Sequence, residues 1–137
     1  MKGKSRSIMQ DRNECRCYIC EHFCGDSTRK NTLEKHHVYG GPDRKKSETF
    51  GLTVYLCRKH HTGDISGVKE AVHHPEYNDY ARRLQRDAQK KFELVYGSLM
   101  LSDEGYDMED LPEDEVKRLA QTCGHTLFMR EFGRSYL

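Results

Sequence analysis

The 137-residue chain is expected to fold as a small α+β module: a two-stranded ribbon and a short helix stapled by a metal site, then a long amphipathic helix and short C-terminal helices. Three observations predict it. Two ligand pairs, Cys17-x-x-Cys20 and Cys57-x-x-His60, bracket a strand-turn-strand pattern, and a helical period runs from Pro75 to Gly97. Hydrophobic residues make up only 35% of the chain against 33% charged, with no Trp, so apolar burial alone gives a thin core and a staple is needed. The length suits one domain of ordinary size.

Residues 1–14 are polar and basic without an apolar period and read as a flexible arm. Residues 15–26 hold four Cys and one His, the density of a metal knuckle. Residues 32–39 read as a strand; Gly40, Gly41 and Pro42 then force a turn, followed by a basic loop over 43–47. Residues 52–56, with β-branched Thr53 and Val54 and aromatic Tyr55, read as the second strand. Arg58-Lys59-His60-His61 starts a short helix that Gly63 and Gly67 cut off.

Pro75 suits the first position of the long helix, where its missing N–H costs nothing. Tyr77, Tyr80, Ala81, Leu84, Ala88 and Val95 lie near one face of that helix, which is expected to end at Gly97. Its other face carries Arg82, Arg83, Arg86, Lys90 and Lys91, which either follow a phosphate backbone or are simply solvated. Residues 98–115 contain eight acidic residues and no basic one, and read as a loop or insertion. Pro112 can start a short helix to Ala120, and 127–132 a last helical turn before Gly133. The chain thus divides into an arm (1–14), a zinc-stapled domain (15–97), an acidic segment (98–123) and a C-terminal segment packing on the domain (124–137).

No apolar stretch follows the basic start and nowhere do 18 apolar residues run together, so neither a signal peptide nor a membrane span is expected, and the chain belongs in a reducing cytoplasm. There, closely spaced Cys mixed with His favour metal over disulfides, and thiolate with imidazole favours zinc. Cys17, Cys20, Cys57 and His60 are the preferred ligands; Cys15, Cys24 and His22 also have feasible spacings, and a swap stays open. The alternative makes Cys57 a buried core residue and leaves metal to the N-terminal cluster.

The net charge of +1 conceals a division. Residues 1–97 carry 19 Lys plus Arg against 13 Asp plus Glu, and residues 98–137 carry 4 against 9. A basic N-terminal part points weakly to a phosphate-rich partner, and a solvated charged surface accounts for it as well.

Between the half-sites stands Leu33-Glu34-Lys35-His36-His37-Val38-Tyr39-Gly40-Gly41, and His61 follows the second half-site directly. Neighbours in a strand point to opposite faces, so one His can bind a metal while the next handles a proton. The order Cys-x-x-Cys, His-His, Cys-x-x-His-His resembles the zinc-containing HNH endonucleases. His-His-Val-Tyr-Gly-Gly, Leu-Thr-Val-Tyr-Leu-Cys-Arg-Lys-His-His, Ala-Val-His-His and the ending Phe-Gly-Arg-Ser-Tyr-Leu look like small HNH-type proteins of bacteriophages and prophages. The resemblance covers 15–97, with the last dozen residues as a second patch.

It implies a ββα-metal core, a structural Zn2+, and a catalytic Mg2+ or Mn2+, with Zn2+ or Ni2+ also able to serve. It makes His36 and His61 ligands of the catalytic ion and His37 the general base; for the remaining ligand, His73 or His74 could swing in after the turn at 63–67, with His73 preferred. It implies DNA as substrate, RNA remaining open, in phage DNA processing or recombination, with a recombination or packaging protein as a further partner. The Arg44-Lys45-Lys46 loop with Arg58 and Lys59 would hold the phosphate backbone, which gives affinity without sequence reading. One departure matters: Gly51, Leu52, Thr53 and Val54 stand where the family has its middle Asn, so that role is absent, taken by Thr53 or met by backbone. The rival from another class is a non-enzymatic zinc module that binds nucleic acid or protein through the acidic segment. A thiol redox protein using Cys17 and Cys20 is disfavoured, since no βαβ pattern surrounds them.

Overall fold

The computed structural model describes residues 6–63, 71–73, 79–105 and 109–137. It is α+β: α1 (Tyr18–Phe23), β1 (Glu34–His37), α2 (Arg44–Phe50), β2 (Thr53–Leu56), α3 (Arg58–His61), α4 (Asp79–Asp103) and α5 (Glu113–Phe132). Two compact units divide the chain, Met1–Gln85 and Arg86–Leu137, with the boundary inside α4. Gly67, His74, Pro75 and Tyr77 lie outside the described residues. Among those described, no helix is long and apolar enough to cross a membrane.

The first unit is organised by an antiparallel ribbon. β1 pairs with β2 in the register Glu34↔Leu56, Lys35↔Tyr55, His36↔Val54 and His37↔Thr53, and Val38 N–H extends the ladder to Leu52 C=O at 3.0 Å. Strand alternation puts Glu34 and His36 on one face of β1 and Lys35 and His37 on the other. Ile19, Val38, Tyr39, Leu52, Val54, Leu56 and Leu84 are buried in this unit.

Two local expectations change here. The basic stretch after Pro42 is a 3₁₀ turn (Gly41–Asp43) running into α2 rather than a loop. Gly51, at φ +69°, stops that helix in the left-handed conformation that glycine adopts without strain. Buried Ser47 fastens α2 to the ribbon, since its Oγ accepts from Tyr39 N–H at 2.9 Å and donates to Tyr39 C=O at 2.8 Å. The described part of the expected arm is tied to β2: Ile8 N–H donates to Gly51 C=O, and Tyr55 N–H donates to the side-chain oxygen of buried Gln10 at 2.8 Å. These bonds satisfy backbone groups that an open strand edge would leave unpaired.

The second unit corrects the reading of the C-terminal part. α4 continues past Gly97 to Asp103, and the two short C-terminal helices are one 20-residue helix, α5. Gly97 and Gly124 explain why glycine does not interrupt them. A Cβ on Gly97 would overlap the Ala120 carbonyl, and one on Gly124 the Glu93 carbonyl, so the two helices touch backbone to backbone. Phe92, Phe128 and Phe132 pack beside this crossing. Buried Gln89 and Glu93 are satisfied by each other, by His125 and by Ser135 and Tyr136 of the C-terminal end.

Candidate metal centres

The Cys-x-x-Cys pair is set by α1, for which Cys17 is the N-cap, its Sγ accepting from Cys20 N–H at 3.5 Å. The second pair sits where β2 hands over to α3: Cys57 precedes the helix and His60 lies one turn on, with His60 N–H donating to Cys57 C=O at 3.0 Å. The four side chains converge. His60 Nδ1 lies 3.7, 3.4 and 3.4 Å from the sulfurs of Cys17, Cys20 and Cys57, and the sulfurs of Cys20 and Cys57 are 3.9 Å apart. A tetrahedral zinc with ordinary bond lengths has edges of about 3.8 Å between sulfurs and about 3.6 Å between sulfur and nitrogen. The cluster can therefore hold a metal ion such as zinc. Cys15 and Cys24, the alternatives in the sequence, are not among its ligands. Burial pushes the Cys17 thiol above its ordinary pKa, and burial together with the neighbouring Cys17 does the same to Cys20, so both hold their protons until a metal displaces them.

A second cluster is made by His36, His61 and His73, whose candidate ligand atoms lie within 4.8 Å of one another. His36 comes from β1 and His61 from the last turn of α3. His73 is held against α3 by backbone bonds from Val72 N–H to His60 C=O and from His73 N–H to His61 C=O. Glu34, two residues before His36 on the same face of β1, accepts from His61 Nδ1–H at 3.0 Å. This fixes the tautomer that leaves the Nε2 lone pair of His61 free, facing His73 Nε2 at 3.2 Å. His36 is buried, and burial with the two neighbouring imidazoles pushes its pKa down to about 3. His73 is lowered in the same sense by burial and by His61. The Glu34 carboxyl is lowered chiefly by the hydrogen bond from His61. Both imidazoles stay neutral through the physiological range, the form that ligates metal.

The two clusters differ in kind. Cys3His is a complete, largely buried set of four ligands, the composition of structural zinc sites. The three-His set has an exposed member in His73 and, among the described residues, no fourth protein ligand, as in sites that keep a position for water or substrate.

His37 stands apart from both. Its Nε2 lies 2.6 Å from Glu48 Oε2, while Lys35 Nζ donates to Glu48 Oε1 at 2.9 Å. Those donors, Lys35 first, hold the Glu48 carboxyl below its usual range against the opposing effect of burial. His37 and Glu48 open onto a pocket of about 390 Å³ completed by Gly41, Pro42, Arg44 and Lys45. Of the basic residues assigned to phosphate, Arg44 and Lys45 thus reach a site, whereas Lys46 does not line it. Arg58 pairs with Glu34 at 3.5 Å, and Lys59 is exposed on α3. Thr53, proposed as a stand-in for the missing Asn, is buried opposite His37 in the ribbon.

Sequence reasoning missed Glu34 and Glu48. The spacing Glu34-x-His36 was a usable signal for the first, because alternate strand residues share a face. No such signal exists for Glu48, which reaches His37 only through the fold of α2. No protein-family model, curated protein or solved structure matches the chain.

Proposed function

We propose that the first unit is a metal-dependent endonuclease of the HNH type that hydrolyses phosphodiester bonds in DNA. The observation that carries this reading is the pair of unlike metal clusters: a largely buried Cys3His set and a second, all-histidine set with an exposed member and, among the described residues, three ligands. A structural module needs only the first. A divalent ion held by His36, His61 and His73 would supply Lewis-acid stabilisation of charge on a phosphate and its leaving oxygen.

The chain's own residues supply the rest. Glu34 orients His61 through Nδ1. Arg44 and Lys45 offer positive charge beside His37 for phosphate oxygens. His37 accepts a proton from water, the resulting hydroxide adds to phosphorus, and the bond to the leaving sugar oxygen breaks as that oxygen takes up a proton from solvent. Alternation along β1 places His36 and His37 on opposite sides of one strand.

The test is strand cutting of supercoiled DNA by zinc-loaded protein with and without added magnesium or manganese. Cutting that requires the added ion and is lost in His61→Ala and His73→Ala, both still holding zinc, is expected. No cutting with magnesium, manganese, nickel or excess zinc would leave the chain a non-enzymatic zinc module.

A further inference from the structure

We propose that Glu48 is the positioning residue for His37: it grips the ring at Nε2 and leaves Nδ1 as the atom that takes the proton from water. The inference rests on the nuclease reading for the role of the proton, and on geometry alone for the grip. Glu48 Oε2 is 2.6 Å from His37 Nε2, and its other oxygen receives Lys35 Nζ at 2.9 Å. A carboxylate engaged by a lysine is an acceptor, so the imidazole nitrogen facing it carries the hydrogen and the lone pair falls on Nδ1.

The contact is more than a surface ion pair. The side chains of His37 and Glu48 are only 16% and 20% exposed, which limits the screening and side-chain entropy that make exposed pairs weak. Its two ends are fixed independently. Lys35 and His37 occupy alternate positions on one face of β1, and Glu48 is carried by α2, whose next residue back, Ser47, exchanges two buried hydrogen bonds with Tyr39. The same short helix carries Arg44 and Lys45 into the pocket that His37 lines. One element therefore holds the base and presents charge to the anion it acts on. A base whose far nitrogen is oriented by a third group is a recurrent catalytic arrangement.

The experiment is nitrogen-15 NMR of the imidazoles in zinc-loaded protein without a second ion, paired with cutting kinetics in manganese. Wild type should show His37 with hydrogen on Nε2 and a bare Nδ1. In Glu48→Gln the amide oxygen is drawn to Lys35 and the amide NH2 turns to His37, which should reverse the tautomer. kcat should then fall on the order of 10³- to 10⁴-fold, the scale seen when a base is held in the wrong tautomer, with KM little changed. Hydrogen on Nδ1 of His37 in wild type that cuts normally would overturn the assignment of Glu48 alone, and so would Glu48→Gln that keeps both tautomer and kcat. The wild-type spectrum decides the grip even if Glu48→Gln fails to fold. Failure of wild type to cut with any ion would overturn the nuclease reading and the proton-transfer role with it, whatever the tautomer.

Discussion

Removing one ligand of the Cys3His cluster should unfold much of the first unit, and the size of the effect follows from the loop that the site closes. Cys20 and Cys57 are separated by 36 residues that include β1 and α2. Cross-linking a loop of that length restricts the unfolded chain by about 4 kcal/mol. Whole domains have only about 5–15 kcal/mol of stability to lose. The thiols themselves are neutral and cheap to bury, so the loss lies mainly in the missing cross-link. For a unit of this size, 1 kcal/mol moves the midpoint by about 4–8 °C, so Cys57→Ala should melt about 15–30 °C lower. Bound zinc and thermal circular dichroism of Cys57→Ala, Cys15→Ser, Cys24→Ser and Cys123→Ala provide the assay. Only Cys57→Ala should lose zinc and stability. Zinc retained at wild-type Tm in Cys57→Ala, or lost in Cys15→Ser or Cys24→Ser, would refute the assigned ligand set.

Other consequences can be checked separately. His37→Ala should lower cutting by about 10²- to 10⁴-fold while zinc content and DNA affinity stay near wild type, with a modest loss of stability of about 1 kcal/mol because Glu48 loses a largely buried partner. Zinc affinity, read by competition with a chelator and corrected for the chelator's own protonation, should fall about 10³-fold for each pH unit lowered below neutrality, since the three cysteine ligands each give up a proton to bind; affinity independent of pH would argue against thiolate ligation. Arg44→Ala with Lys45→Ala should weaken DNA binding and reduce the slope of log affinity against log salt by about 1–2, as expected if two phosphate contacts are lost. Gly124→Ala gains about 1 kcal/mol of helix propensity but drives a methyl into the Glu93 backbone, which cannot swing aside, so chemical denaturation should show a net loss of about 1–3 kcal/mol.

What was legible in the sequence was what local spacing encodes. Cys17 and Cys20 sit at the start of one short helix and Cys57 and His60 at the start of another, so each pair could be read without knowing the fold. The ribbon was legible within a residue or two because Gly40, Gly41 and Pro42 punctuate it and β-branched residues mark β2. Features fixed by contacts distant in sequence were not. The stretch 44–50 looks like a basic loop, yet Ser47 bonding to Tyr39 makes its helix worth forming. Gly97 looks like a helix stop, yet it is where α4 meets the Ala120 backbone and the helix runs on. Glu48 could not be found at all before α2 was in place. Residues 6–14 looked free because their partners, Gly51, Thr53 and Tyr55, are some 45 positions away.

Two metal ions of different character are proposed for this unit, and anomalous diffraction from crystals grown with zinc and manganese can locate both. Two separate peaks are expected: zinc among Cys17, Cys20, Cys57 and His60, and a second ion among His36, His61 and His73 whose remaining positions are filled by water or phosphate. A single peak at the cysteines, or a second ion closed off by a fourth protein ligand, would contradict the proposal.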